Sequence, residues 1–174
     1  LAKECLYTAA TVFECSLPKD VTFSNGHALT SSDVKFSIMR ALRLAPGQMS
    51  LLGALRSIET PDPWTVRFRL KYPDNQFGFG LAVPAASVVD EEAYDADKLR
   101  PVTQMPMGSG PYSLDSWDNL GLTIVKFPDY IGPLRTDMPK IRITWTDSPT
   151  AEQALVDQQT EIVWRTLSPA AVDR

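Results

Sequence analysis

The sequence predicts an α+β fold, with mixed sheets and packed helices. Val21 to Leu42 reads VTFSNGHALTSSDVKFSIMRAL, a run of strand formers, a turn dipeptide and a helix start in succession. Trp64, Val66, Phe68 and Leu70 alternate with Thr65, Arg67 and Arg69, the period-two pattern of a sheet with one buried and one wet face. A second strand–turn–strand pattern runs from Tyr112 to Phe127 around Asp118-Asn119-Leu120-Gly121. No segment repeats at a fixed period or is low in complexity.

The elements follow in order. Thr11 to Leu17 is rich in β formers and reads as a strand; Pro18 ends it and Val21-Thr22-Phe23 resumes it. Asn25-Gly26 turns the chain, because both residues tolerate positive φ. Thr30 caps a helix and Asp33 answers from its third position, a weak form of the capping box. The helix, Ser31 to about Leu44, places Val34, Ile38, Ala41 and Leu42 on one face and Lys35, Arg40 and Arg43 elsewhere. Pro46-Gly47 stops it, and Gln48 to Arg56 reads as a second short helix with Leu51, Leu52 and Leu55 inward. Ser57–Thr60 and Trp64–Leu70 form a hairpin about Pro61-Asp62-Pro63, with Trp64 in the core. An apolar helix is expected near Asn75 to Leu81. Ala85 to Val89 reads as a strand before an acidic helix start at Asp90-Glu91-Glu92. The Pro-, Met- and Gly-rich stretch Pro101 to Pro111 marks a boundary, dividing the chain into 1–107 and 108–174. Beyond the Tyr112–Phe127 hairpin, Ile141 to Thr146 alternates, with Trp145 on its apolar side. A helix starts at Pro149 or Thr150 and reaches about Gln159. Ile162 to Trp164 reads as a strand, and Leu167-Ser168-Pro169-Ala170 opens another helix.

The 174 residues suffice for one ordinary domain or two small ones, and 44% hydrophobic with 22% charged residues is a globular balance. A net charge of −4 with scattered Lys and Arg argues against a nucleic-acid binder and against an anionic membrane surface. No apolar stretch approaches the roughly 18 residues needed to span a bilayer. The chain starts at Leu1 without a signal pattern and stops abruptly after a helix start, which reads as a piece of a longer protein. Cys5 and Cys15 lie symmetrically about Ala9-Ala10. A hairpin there would bring them face to face, as a bridge or as two thiols of a strand pair.

Little catalytic chemistry is in view. His27 is the only histidine, beside an Asn-Gly turn where a loop histidine is solvated, so any nucleophile–base pair would depend on it. One His and two Cys cannot complete a zinc site, and no stretch has the alternating oxygens of a calcium loop. Asp90-Glu91-Glu92, Asp95 and Asp97 read as helix-start charge and a solvated face in preference to paired catalytic carboxylates. Asp74-Asn75 and Asp129 read as turn formers. Gly108-x-Gly110 lacks the third Gly and the helix of a dinucleotide cradle.

The segment FSNGHALTSSDVKFSIMRAL closely resembles "F-S-N-G-x-x-L-T-A-x-D-V-x-x-S-x-x-R" of the extracytoplasmic solute-binding proteins, family 5, which serve peptide and nickel ABC transporters. SLLGALRSIETPDPWTVRFRL is similar to the family's "L-x-x-I-x-x-V-E-x-P-D-x-x-T-V-x-F-x-L", and AVPAASVV to "A-x-P-A-x-S-I-V". MGSGPYSLDSW resembles "x-G-T-G-P-Y-x-L-x-x-W", with Ser109 where Thr is commoner. FPDYIGP resembles "N-P-D-Y-W-G", with Phe127 and Ile131 as departures. TDSPTAEQALVDQQTEIVW resembles "x-D-x-x-T-x-x-x-A-L-x-x-G-E-x-D-I", with Gln159-Thr160 in place of the usual small turn residue. The matches run in the family's order along nearly the whole chain.

The resemblance implies part of a much longer type II, periplasmic-binding-protein-like fold of two lobes. On that reading 1–107 is the small subdomain of lobe one, 108–174 is part of its larger subdomain, and the second lobe is absent. It also implies a non-enzymatic receptor without cofactor or metal, which takes a peptide or other small solute and delivers it to ABC permease subunits. Nickel chelates or sugars are alternative ligands, and a peptide-sensing signalling or chaperone-like role is an alternative function. The implied location is extracytoplasmic, in a periplasm or as a cell-surface lipoprotein, which favours a Cys5–Cys15 disulfide. By analogy with peptide-binding relatives, the ligand-facing loops are Gln48-Met49-Ser50 and Pro84-Ala85-Ala86.

Overall fold

Phe68 packs among other aromatic rings near the middle of a four-stranded sheet, and much of the core gathers around it. The computed structural model describes residues 1–101, 103–134 and 136–164. It divides into two compact units, one comprising Leu1–Ser113 with Lys126–Pro139, the other comprising Leu114–Val125 and the chain from Lys140.

The first unit contains β1 (Glu4–Ala9), β2 (Val12–Ser16), β3 (Leu55–Asp62) and β4 (Thr65–Leu70), in the order β1-β2-β4-β3 with every pairing antiparallel. The β1–β2 hairpin pairs Cys5 with Cys15, and the disulfide implied by the family resemblance is formed. On β4, Val66, Phe68 and Leu70 are buried. Phe13 and Phe77 lie 6.4 and 5.4 Å from the Phe68 ring, centroid to centroid. The alternate residues face water, where Arg67 bridges Glu14 of β2 (2.7 Å) and Glu59 of β3 (3.5 Å) across three strands. Trp64 departs from expectation. It lies in the β3–β4 turn beyond the sheet, half-exposed, with Lys19 Nζ 4.7 Å from its ring centroid.

Helix α1 (Ser31–Leu44) has the expected bounds. The Thr30 backbone N–H and hydroxyl both donate to Asp33 Oδ2, at 2.8 and 2.9 Å. Val34 and Ile38 are buried against the sheet, with Ala41 and Leu42 packed beside them. Val21–Phe23 forms only an isolated bridge, Thr22 to Ala28, because the tight Asn25-Gly26 turn leaves no length for a ladder. Gly26 takes φ +89°, the left-handed conformation that glycine permits.

Pro46–Leu52 is a kinked 3-10 segment, not the start of an α-helix. Its tighter repeat brings residues three apart to one side. Met49 and Leu52 are therefore buried, Leu51 is exposed, and Leu55 opens β3. The apolar helix expected at 75–81 is the short α2 (Phe77–Gly80), followed by a 3-10 turn at Pro84–Ala86.

The acidic stretch after it is neither strand nor helix but a strap along α1. Ser37 Oγ donates to Val89 O (3.1 Å) and accepts from Val89 N (2.8 Å). Asp33 Oδ1 accepts from Glu91 N (3.0 Å), and Arg40 donates to the carbonyls of Asp95 (2.8 Å) and Lys98 (2.6 Å). Positions 33, 37 and 40 share one helical face, so the polar side of α1 does for this segment what a ladder would do.

The second unit carries most of an antiparallel sheet of β5 (Tyr112–Asp118), β6 (Gly121–Lys126) and β7 (Lys140–Thr144), in that order. Asp118 Oδ1 accepts from the N–H groups of Leu120 and Gly121 to close the β5–β6 turn. A Cβ at Gly121 would lie 2.0 Å from the Ile143 carbonyl oxygen, so the close approach of the β7 backbone needs glycine there. Helix α3 (Ser148–Val156) starts from Asp147, whose Oδ1 accepts from Thr150 N at 3.0 Å. Trp145 lies just past β7 and is half-exposed, not core, and Ile162–Trp164 is irregular. The helix expected at Leu167–Ala170 lies outside the described residues.

Replacing Phe68 by Ala removes a ring from a close-packed core, so denaturant unfolding is expected to record a loss of about 3–5 kcal/mol. Removing the disulfide with paired Cys5→Ser and Cys15→Ser should cost about 3 kcal/mol by the chain-entropy estimate, read from the same curves.

Candidate functional site

The two loops expected to face a ligand lie side by side in the first unit, where the Pro46–Leu52 and Pro84–Ala86 segments pack together and α2 packs on the former. Gln48, Ser50 and Pro84 are exposed and Ala85 is half-buried. Met49 and Ala86 are buried, with 2% and 6% of their surface exposed, so these two side chains anchor their loops in the core. The Pro84 loop forms one wall of an apolar cavity of about 630 Å³. Phe13, Phe68, Val34 and Ile38 line it from the sheet and α1, and none of its lining side chains is charged.

Beneath the strap lies a polar cluster that local sequence reading missed. Asp90 is 1% exposed. Its Oδ2 accepts from Asn25 Nδ2 at 2.6 Å and from His27 Nδ1 at 2.8 Å, and its Oδ1 accepts from Glu92 N at 2.9 Å. His27 N donates to Asn25 Oδ1 (3.2 Å), and Glu92 Oε2 lies 3.7 Å from His27 Nδ1. Burial pushes the Asp90 carboxyl up, but the hydrogen bonds from Asn25, the Glu92 N–H and His27 outweigh it and hold the group below its ordinary value.

This cluster fastens the Asn25-Gly26 turn to a segment more than sixty residues away in sequence. The exposed Glu92 and Asp97 fit the solvated role expected of the acidic stretch, whereas Asp90 does not. Among the described residues, no hydroxyl or thiol is hydrogen-bonded to His27. No group of three metal-ligating side chains is assembled among them, and none of their helices is long and apolar enough to cross a membrane. Gly108 serves the turn, its carbonyl accepting from Ser24 N at 2.9 Å. Trp117 and Trp164 are exposed, and Tyr130 is half-buried.

The model of the family described as bacterial extracellular solute-binding proteins, family 5 Middle, matches residues 2–174. The chain belongs to this family. Family 5 proteins are transport receptors, not enzymes. The chain is 32% identical, over 67% of its length and 24% of the relative's, to the probable D,D-dipeptide-binding periplasmic protein DdpA of Escherichia coli K12. It is 29% identical, over 76% of its length and 26% of the relative's, to the glutathione-binding protein GsiB of the same strain. Its fold is similar to a nickel ABC transporter from Bacillus halodurans, with TM-score 0.83 and 26% identity over 99% of this chain and 35% of that one. The chain thus spans about a quarter of the length of the curated relatives it matches. The α+β elements found here are those of a type II periplasmic-binding-protein fold, of which they form part.

Because the Asp90 carboxyl sits below its ordinary value, the folded state favours its ionised form. Its stabilisation is present above the unfolded carboxylate value and is lost as pH falls through the lower, folded one. Urea unfolding of wild type and Asp90→Asn across acidic pH should show the wild-type advantage shrinking as pH falls; a constant gap would contradict this.

Proposed function

We propose that this chain is part of the solute receptor of an ABC importer, with a dipeptide or oligopeptide as ligand. The observation that carries the reading is the family match along residues 2–174. Relatives named for dipeptide and glutathione binding favour a peptide over a nickel chelate or a sugar. Residues 1–107 are taken as the small subdomain of lobe one, and 108–174 as part of its larger subdomain. The ligand-facing groups are Gln48, Ser50, Pro84 and Ala85, on loops anchored by Met49 and Ala86. The ligand is gripped as a second lobe closes on this one, and the closed state is the form that the permease recognises. An extracytoplasmic location is consistent with the Cys5–Cys15 disulfide.

Calorimetry of the full-length protein against a mixed pool of di- to oligopeptides should give binding, and the 174-residue chain alone should give none. Absence of peptide binding by the full-length protein would overturn the peptide assignment and turn attention to nickel chelates, sugars or a sensor role.

A further inference from the structure

The Asn25-Gly26 turn has a chemical vulnerability that its surroundings restrain. The chain's other asparagines, Asn75 and Asn119, are followed by Gln and Leu; only Asn25 precedes a glycine. A glycine nitrogen carries no neighbouring side chain to hinder it, so it is the best placed backbone nucleophile for an adjacent Asn carboxamide. Asn25 and Gly26 are both exposed, and water reaches them. Two of the three hydrogen bonds made here oppose the reaction, those of the leaving and the attacking nitrogens, and the third fixes the side chain's orientation. Asn25 Nδ2, the leaving nitrogen, donates to Asp90 Oδ2 at 2.6 Å. Asn25 Oδ1 accepts from His27 N at 3.2 Å. The attacking Gly26 N–H donates to Phe23 O at 2.9 Å.

We propose that Asn25 is a latent deamidation site, held in check by its bond to Asp90 and by the bond of the Gly26 N–H to Phe23, and that its conversion to a carboxylate unfastens the turn from the Asp90 strap. In the reaction the Gly26 nitrogen attacks Asn25 Cγ and gives up its proton. The Cγ–Nδ2 bond breaks, ammonia leaves, and a cyclic imide forms. Water then opens the imide to aspartate or isoaspartate, with no change of oxidation state. The product replaces a donor at 2.6 Å from Asp90 Oδ2 by a second carboxylate. Two like charges at that distance, one of them on a residue 1% exposed, cannot both stay ionised in the native arrangement without large cost. The chemical change therefore opens the contact that joins the two segments.

Peptide mapping by mass spectrometry tests this on the full-length protein incubated in mildly alkaline buffer. Native protein should deamidate at Asn25 several-fold more slowly than the same protein unfolded in urea, and Asp90→Asn should accelerate the native reaction at Asn25 without changing Asn119. Equal rates in native and unfolded protein, or an unchanged rate in Asp90→Asn, would overturn the restraint. The product is tested separately: Asn25→Asp should lower Tm by several degrees, and combining it with Asp90→Asn should restore most of that loss. An Asn25→Asp penalty that persists undiminished in the double variant would refute the carboxylate repulsion.

Discussion

Residues 89–98 form neither helix nor strand, so their backbone groups must find partners outside a ladder. The polar face of α1 supplies them. Asp33, Ser37 and Arg40 bond in turn to Glu91, Val89 and the carbonyls of Asp95 and Lys98. The helix thus works on two sides. Val34 and Ile38 close the core over β4 while the other face holds the strap. Asp33 also bonds to Thr30 at the helix start, so one carboxylate sets both where α1 begins and where the strap crosses it.

The family signature within FSNGHALTSSDVKFSIMRAL acquires a physical meaning here. Its Asn, Asp, Ser and Arg are Asn25, Asp33, Ser37 and Arg40, and all four bond to residues 89–98. None of the four needs a ligand to explain its type. The strap follows directly on the Pro84–Ala86 turn, so these contacts fix where that loop leaves the core.

The regular elements were legible because their signals are local. The Thr30 and Asp33 start, the alternation through Val66, Phe68 and Leu70, and the Asp118–Gly121 turn each act within a few residues. The misreadings share the opposite property. Trp64 and Trp145 are in phase with their strands but fall beyond the last paired residue, where there is no core to enter. Leu51 fits an α period with Leu52 and Leu55, yet the 3-10 repeat leaves it exposed and turns Met49 inward beside Leu52. Asp90 reads as a helix-start charge because its partners Asn25 and His27 lie far away in sequence. Of the candidate site, the loops could be named from the family resemblance and the structure sets them side by side, but the apolar cavity against one of them left no mark in sequence, being assembled from the sheet, α1 and the Pro84 turn.

The proposed mechanism requires the chain to be one part of a receptor that closes on its ligand. Small-angle X-ray scattering of the full-length protein, free and saturated with a peptide that calorimetry has shown to bind, tests this most directly. Closure predicts a smaller radius of gyration in the bound state. An unchanged radius with a bound peptide would contradict the proposed mechanism.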